Sequence, residues 1–495
     1  MQNTHNVIYP SLEQILQIPN LSTYKRVPIV RELFSDFLTP IEALRILKAH
    51  SKHVFLLESV EDRERWGRWS FLGFEPSLEI VCKNWDICIK DSQGTKQFSG
   101  EPKKAIEEIL ARYKSPKIEC LPPLSGGLVG YFSYEYIRYV ESRLDFSAQN
   151  SEFNDVDLML FDTLLAFDNF KQKIVLITNI ELENLESSYA QGVEKLASLR
   201  ALLHSGKKCE IAPLELFEEP KADFNKAQFS QMIETAKEYI KEGDIFQVVL
   251  SNPLRAKAQG SLFDVYRILR VSSPSPYMFY FCSDDIELAG ASPETLVKLE
   301  NTKLYTYPLA GSRPRGSDEA EDKRLEEELL SDEKELAEHN MLVDLGRNDL
   351  GKIAQIGSVK VEKYMGIQRN SHIMHIGSTI SAQIAEGKNA LDAIAAILPA
   401  GTLSGAPKIR ACEIIHELEG SERGIYGGAI GYLDFSGNMD TCIAIRLMYK
   451  KGENLCIRSG AGIVIESQAE KEFEECQNKA RAVLNAAKMA QEGIG

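Results

Sequence analysis

No run of uncharged apolar residues approaches the roughly 20 that a membrane-spanning helix needs, so nothing in the sequence points to a membrane protein. An excess of basic charge is also missing. The 57 Lys+Arg against 72 Asp+Glu give a formal net charge of -15, which argues against nucleic acid or an anionic membrane surface as a partner. An anionic small ligand would therefore need a local remedy, either a metal or a few placed cations. The nine cysteines (Cys82, Cys88, Cys120, Cys209, Cys282, Cys412, Cys442, Cys456, Cys476) are never spaced as Cys-x-x-Cys. That leaves no sign of a zinc ribbon or disulfide framework, and they read as reduced, buried thiols of a cytosolic protein. Met1-Gln2-Asn3-Thr4-His5-Asn6 offers no basic flank, apolar core or Arg/Ser-rich amphipathic stretch, so no export or organelle signal is visible and a cytoplasmic location is expected. Phosphate-cradling motifs are absent as well. Gly401-Thr402-Leu403-Ser404-Gly405-Ala406-Pro407-Lys408 has the wrong glycine spacing for a P-loop, and Gly460-Ala461-Gly462 meets Ile465 where the dinucleotide fingerprint wants glycine.

What is present is an ordinary globular composition, 44% hydrophobic and 26% charged, long enough for two or three domains. Residues 204–223 are polar and rich in breakers, and a fresh pattern starts after them, which divides the chain into 1–222 and 223–495. Upstream, Lys173-Ile174-Val175-Leu176-Ile177-Thr178 reads as a strand and residues 185–203 as a helix. Downstream, Phe229, Ile233, Ala236 and Ile240 fall at helical spacing, Gly243 ends that helix, and Ile245-Phe246-Gln247-Val248-Val249-Leu250 follows as a strand. The mixture predicts an α+β protein rather than a regular βαβ alternation.

Chemistry concentrates in the second half. The alternating Lys303-Leu304-Tyr305-Thr306-Tyr307 reads as a strand that runs into Pro308-Leu309-Ala310-Gly311-Ser312-Arg313-Pro314-Arg315-Gly316, a stiff cationic loop whose arginines suit a carboxylate or phosphate. An ordinary solvated turn has the same composition. In the last helix Ser467-Gln468-Ala469-Glu470 fits a capping box, and Phe473, Cys476, Ala480, Val483, Leu484 and Ala487 form its apolar stripe. Glu472, Glu475 and Lys479 share a face beside that stripe, and Glu335 and Glu338 repeat the spacing on another helix. Two carboxylate pairs on two helices suit Mg²⁺, and a solvated acidic face would look the same. His372 and His375 lie on a strand-like run that points them to opposite faces, so a chelating pair is not expected. His375 alone is either a general acid or base or a satisfied structural histidine. Arg446, after Cys442-Ile443-Ala444-Ile445, reads as a cation on an apolar strand, paired with an acid or holding a ligand carboxylate.

Together these segments closely resemble the chorismate-utilising enzymes, and among them the large subunits of anthranilate synthases. The resemblance is carried by the 308–316 segment, by Glu338-His339-Asn340-Met341-Leu342-Val343-Asp344-Leu345, by Pro399-Ala400 with the 401–408 loop, by Tyr426-Gly427-Gly428-Ala429-Ile430-Gly431, and by Ser459-Gly460-Ala461-Gly462 with its glutamate helix. A weaker match, Leu56-Leu57-Glu58-Ser59 with Gly67-Arg68-Trp69-Ser70-Phe71-Leu72-Gly73, extends it over nearly the whole chain. The resemblance implies two antiparallel sheets in a sandwich flanked by helices, with an N-terminal tryptophan-binding regulatory region (1–222) and a chorismate-binding catalytic domain (223–495).

It also implies roles. Glu338 and Glu475, with Glu335 and Glu472 beside them, would hold Mg²⁺. Gly311, Ser312, Tyr426, Arg446, Gly460, Ala461, Gly462 and Lys479 would cradle chorismate. Glu294 would assist departure of the 4-hydroxyl, His375 would serve the elimination of pyruvate, and Thr402 would line the pocket. Gln247 stands where relatives that add water carry a lysine base, and Ala310 where aminodeoxychorismate synthases place a nucleophilic lysine, so ammonia is the implied nucleophile. No Gly-x-Cys-x-Gly turn is present to release ammonia from glutamine, so a separate glutamine amidotransferase subunit is the implied partner. Glu58, Ser59, Pro276, Tyr277 and Met278 would form a site where tryptophan inhibits. An aminodeoxychorismate synthase component or a non-catalytic tryptophan-binding module are the alternatives at this point.

Overall fold

The computed structural model describes residues 7–59, 67–144, 152–369 and 373–493. Its strands form two sheets of 14 and 12 members among the described residues. In the first, Val54–Glu58 lies between Trp69–Phe74 and Tyr277–Cys282, and the sheet continues through Ile286–Ser292, Leu447–Lys451 and Asn454–Ile463 to Gln247–Gln259. The second runs from Leu309–Pro314 through Ile373–Gln383, Lys303–Thr306, Thr295–Glu300, Met439–Ile443 and Ala429–Asp434 to Gly127–Phe132 and beyond. Neighbouring strands pair antiparallel, as in Glu58 opposite Met278 and Gly130 opposite Gly431. Both sheets thus draw strands from either side of residue 222.

The period-2 alternation of side chains assigns the two faces. Phe55 points into the space between the sheets, where it meets Phe161 edge-on at 4.8 Å, while Val54 and Leu56 face the opposite way into a core roofed by helices. That outer core includes Leu196 of the helix Leu185–Ser205 and Val483 and Ala487 of the helix Ala469–Glu492. A third cluster joins the helix Lys226–Glu242 to strands Gln247–Gln259 and Asn454–Ile463 through Phe229, Ile233, Val248 and Ile463. Gly243 closes that helix at φ 86°, a left-handed conformation that favours glycine. No helix among the described residues is long and apolar enough to cross a membrane.

Three local expectations need correction. Leu309–Pro314 is a further strand rather than a loop, with a bulge between Ala310 and Ser312 where Gly311 takes φ 67°. Arg446 is not on a strand. It lies in the junction between Met439–Ile443 and Leu447–Lys451 at φ 51°. The last helix has Gln468 as its N-cap with no side-chain cap bond, because the Ser467 hydroxyl instead accepts from the Val464 amide at 3.1 Å.

Candidate functional site

The site is assembled where the two glutamate helices meet the ends of strands from both sheets. The helix Glu333–Gly351 packs on the strands Leu309–Pro314 and Ile373–Gln383, and the helix Ala469–Glu492 packs on Asn454–Ile463. Across this junction the charge of Glu475 reaches Glu338. Burial, then Glu335, then Glu475 hold the Glu338 carboxyl above the usual carboxylate range. Glu472 is raised in the same way, by burial first and then by Glu475. Glu475 itself lies 2.7 Å from Lys479 Nζ, and Glu335 lies 3.6 Å from Arg313. These are oxygen-only donors that repel one another, a donor chemistry that suits a hard divalent cation such as Mg²⁺. The four do not converge to a single point. Among the described residues the group of potential ligand atoms mutually within 4.8 Å is His53, Glu79 and Asp284, and there Lys90 Nζ already lies 3.0 Å from Asp284 and 3.4 Å from Glu79.

The charge of Arg446 reaches both Glu294 and His375. Arg446 is exposed as a residue, yet the protein packed around it desolvates its guanidinium and lowers its pKa, with the charge of Glu294 opposing. Among the described residues the Arg446 guanidinium makes no hydrogen bond or ion pair. Glu294 accepts a 3.0 Å hydrogen bond from the Thr402 hydroxyl. Burial raises its carboxyl pKa, opposed by that bond and by the charges of Lys479 and Arg446. His375 pairs with the bulge through Nδ1, 3.1 Å from the Gly311 carbonyl. A carbonyl accepts only, so Nδ1 is the donor in this bond. Burial lowers the His375 pKa; the bond to Gly311 opposes this, and the Arg446 charge adds to the lowering.

The remaining cradle is backbone. Lys479 Nζ donates to the Gly460 carbonyl at 3.1 Å. Strand Asn454–Ile463 pairs Gly460 with Ser251, Ala461 with Leu250 and Gly462 with Val249. A Cβ on Gly460 would meet the Leu250 carbonyl at 2.6 Å and the Tyr426 hydroxyl at 3.1 Å, and one on Gly462 would meet the Gln247 amide at 2.6 Å. Glycine is what lets Tyr426 and Gln247 lie against this strand. Ser312 sits opposite His375 in register. His372 lies outside the described residues.

The arginines of the 308–316 segment do not face an anion site. Arg313 bonds Glu328 at 3.1 Å and Asp332 at 2.9 Å, and Arg315 grips Asp322 in two-pronged fashion. They clamp the strand to the acidic helices that follow it. Sequence reasoning also missed a fully buried charge cluster of Glu419, Arg423 and Arg458 beneath the cradle. The i, i+4 spacing of Glu419 and Arg423 just before Tyr426 was its one available signal.

The residues of the expected tryptophan site lie on, or directly beside, two paired strands. Glu58 is buried and accepts from Ser70 Oγ at 3.1 Å, Tyr266 at 2.5 Å and Arg270 Nε at 2.6 Å. Met278 stands opposite it, while Ser59 and Pro276 are half-buried at the same strand ends. Tyr277 pairs in register with Ser292, two residues before Glu294, and its hydroxyl donates to Asp440 at 2.8 Å.

Compared with known proteins, residues 53–485 match the family of chorismate binding enzymes. The chain belongs to this family. Its relatives include anthranilate synthase component 1 of Acetivibrio thermocellus, 41% identical over 98% of this chain and all of the relative, and that of Pseudomonas aeruginosa, 41% identical over 95% and 97%. Among solved structures, anthranilate synthase component I of Streptococcus pneumoniae superposes with TM-score 0.72 at 36% identity, covering 91% of this chain and 99% of that one. The menaquinone-specific isochorismate synthase of Escherichia coli shares the fold, with TM-score 0.67 at 20% identity over 96% and 98%.

Proposed function

We propose that this chain converts chorismate and ammonia into anthranilate and pyruvate, as the large subunit of an anthranilate synthase whose ammonia comes from a glutamine amidotransferase partner. The observation that carries the reading is the electrostatic coupling of three groups: Arg446, whose guanidinium has no ion-pair partner among the described residues, Glu294, an acid held toward its protonated form, and His375, an imidazole whose pKa burial lowers. The near full-length anthranilate synthase relatives support it.

In this reading Arg446 and the amides around Gly460, Ala461 and Gly462 hold the substrate's carboxylates. The nitrogen lone pair of ammonia forms a bond to ring carbon 2, the ring double bonds shift, and the carbon 4–oxygen bond breaks. Glu294 gives its proton to that oxygen, which leaves as water. In the second step the proton on carbon 2 passes to His375 Nε2, and the bond from carbon 3 to the enolpyruvyl oxygen breaks. The ring becomes aromatic, and the departing enolate takes up a proton as pyruvate. Glu338 and Glu475, with Glu335 and Glu472 beside them, would hold Mg²⁺, which supplies charge neutralisation for the ring carboxylate. Ala310 and Gln247 bring no amine to the site, in keeping with free ammonia as nucleophile.

Tryptophan, the end product, inhibits at Glu58, Ser59, Pro276, Tyr277 and Met278. The strand pair Tyr277–Cys282 and Ile286–Ser292 gives that site a direct structural link to Glu294. All nine cysteines are free thiols, in keeping with a cytoplasmic enzyme. The test is to supply chorismate and Mg²⁺ with either ammonium salt or glutamine. Ammonium alone supports turnover, and glutamine does so only after a glutaminase subunit is added; turnover of glutamine by the isolated chain would overturn the division of labour.

A further inference from the structure

We infer that Arg423 is a positioning residue for the reaction, acting through Thr402; the inference rests on the proposed reaction and deepens it. The side chain is among the largest that are fully buried, and its guanidinium ties together two parts of the site that are remote in sequence. Nη1 donates to the Leu403 carbonyl at 2.5 Å, and Nη2 donates to the Val249 carbonyl at 2.6 Å. Leu403 follows Thr402, whose hydroxyl bonds Glu294. Val249 is paired with Gly462 of the glycine strand. One guanidinium therefore fixes the distance between the turn that orients the acid and the strand that forms the cradle.

The fork is itself held. Nε donates to Glu419 at 3.0 Å, and Glu419 also accepts from Arg458 at 2.7 Å and from the Ser251 amide at 2.8 Å, opposite Gly460. The Glu135 carboxylate accepts the backbone amides of Arg423 and Gly424 at 2.7 and 2.9 Å, which anchors the main chain at the same point. Above the guanidinium lie the rings of Tyr134 and Tyr426, at 4.7 and 5.9 Å. Two fully buried arginines sharing one carboxylate is an expensive arrangement for stability alone, since packed apolar residues of the same volume serve as well or better. What an apolar residue cannot do is hold two carbonyls at fixed separation, and neither can lysine, a point charge without the planar fork.

The test is a double-mutant cycle on kcat with Arg423→Lys, Thr402→Val and the pair. Losing the Thr402–Glu294 contact, by a shift of about 1 Å in Arg423→Lys or by deletion of the hydroxyl in Thr402→Val, lowers kcat ~10²-fold in either single variant, with the KM for chorismate within about threefold of wild type. Because both changes break the same link, the double variant falls no more than about twofold below the worse single. Multiplying losses, near 10⁴-fold in the pair, wild-type kcat in Arg423→Lys, or an effect confined to KM would overturn the inference. Should Arg423→Lys lack a cooperative unfolding transition, Glu419→Gln, which loosens the clamp on Arg423 while keeping an acceptor, enters the same cycle with the same expectation. A folded wild-type chain without turnover refutes the reaction assignment, a result distinct from multiplying losses in an active enzyme.

Discussion

Arg446→Gly separates catalysis from stability in opposite directions. The native residue holds φ 51°, where a non-glycine residue is strained by ~1–2 kcal/mol. Glycine removes that strain and returns ~0.5–1 kcal/mol of it as extra freedom of the unfolded chain. It also deletes a guanidinium that burial desolvates and that no acid pairs with among the described residues. The folded state is therefore unchanged or stabilised by up to ~1 kcal/mol, and over 495 residues that moves Tm upward by only about 1 °C. Turnover goes the other way. Losing one partner of a desolvated, charge-assisted pair with a substrate carboxylate removes ~2–5 kcal/mol, so kcat/KM falls between ~30-fold and several thousandfold. Calorimetry and steady-state kinetics on the same preparation read both numbers. A variant more than about 3 kcal/mol less stable would mean that Arg446 holds the fold together, and one that keeps kcat/KM within threefold would mean that it meets no carboxylate.

Glu338→Gln relieves the repulsion that raises the native carboxyl, so the variant melts at or above the wild-type temperature while Mg²⁺-dependent turnover disappears; retained turnover would remove Glu338 from the metal set. Burial first, and Glu79 next, push the Asp157 carboxyl up to about 7. A folded-state pKa above the unfolded one means that its contribution to stability is complete below about pH 4 and is lost as pH rises to about 7. Asp157→Asn abolishes that loss, so between pH 4 and 8 its unfolding free energy falls less than that of wild type; parallel profiles in urea titrations would contradict the assignment. Tryptophan inhibits the wild-type chain and inhibits Ser59→Ala less, measured as the shift in half-inhibiting concentration; a wild type insensitive to tryptophan would remove the regulatory site.

The helices were legible because their signals are local. Phe229, Ile233 and Ala236 report the buried face of Lys226–Glu242, and Gly243 its end, without reference to the rest of the chain. The α+β class followed from the same kind of reading. What could not be read was pairing at a distance. Nothing near Glu58 says that Met278 will stand opposite, or that Gly130 will face Gly431, so the way both sheets cross residue 222 was invisible. The misreadings share one cause. Arg313 and Arg315 looked like ligand-binding cations because their acids arrive later, at Asp322, Glu328 and Asp332, in a segment read as a charged run. Arg446 looked like a strand residue because Ile443 and Ile445 are β-branched, whereas its left-handed φ is set by the junction between two strands. Glu294 and His375 were singled out through family motifs, while Glu419, Arg423 and Arg458 belong to a cluster that only the folded chain brings together.

The central claim is that free ammonia attacks chorismate beside its carboxylate. Incubating the isolated chain with chorismate, Mg²⁺ and ¹⁵N-labelled ammonium, then reading the product by nitrogen NMR, tests it directly. The account predicts ¹⁵N on the carbon adjacent to the carboxylate, with one pyruvate released for each anthranilate formed. Label at the position opposite the carboxylate, or a hydroxylated product without label, would contradict it.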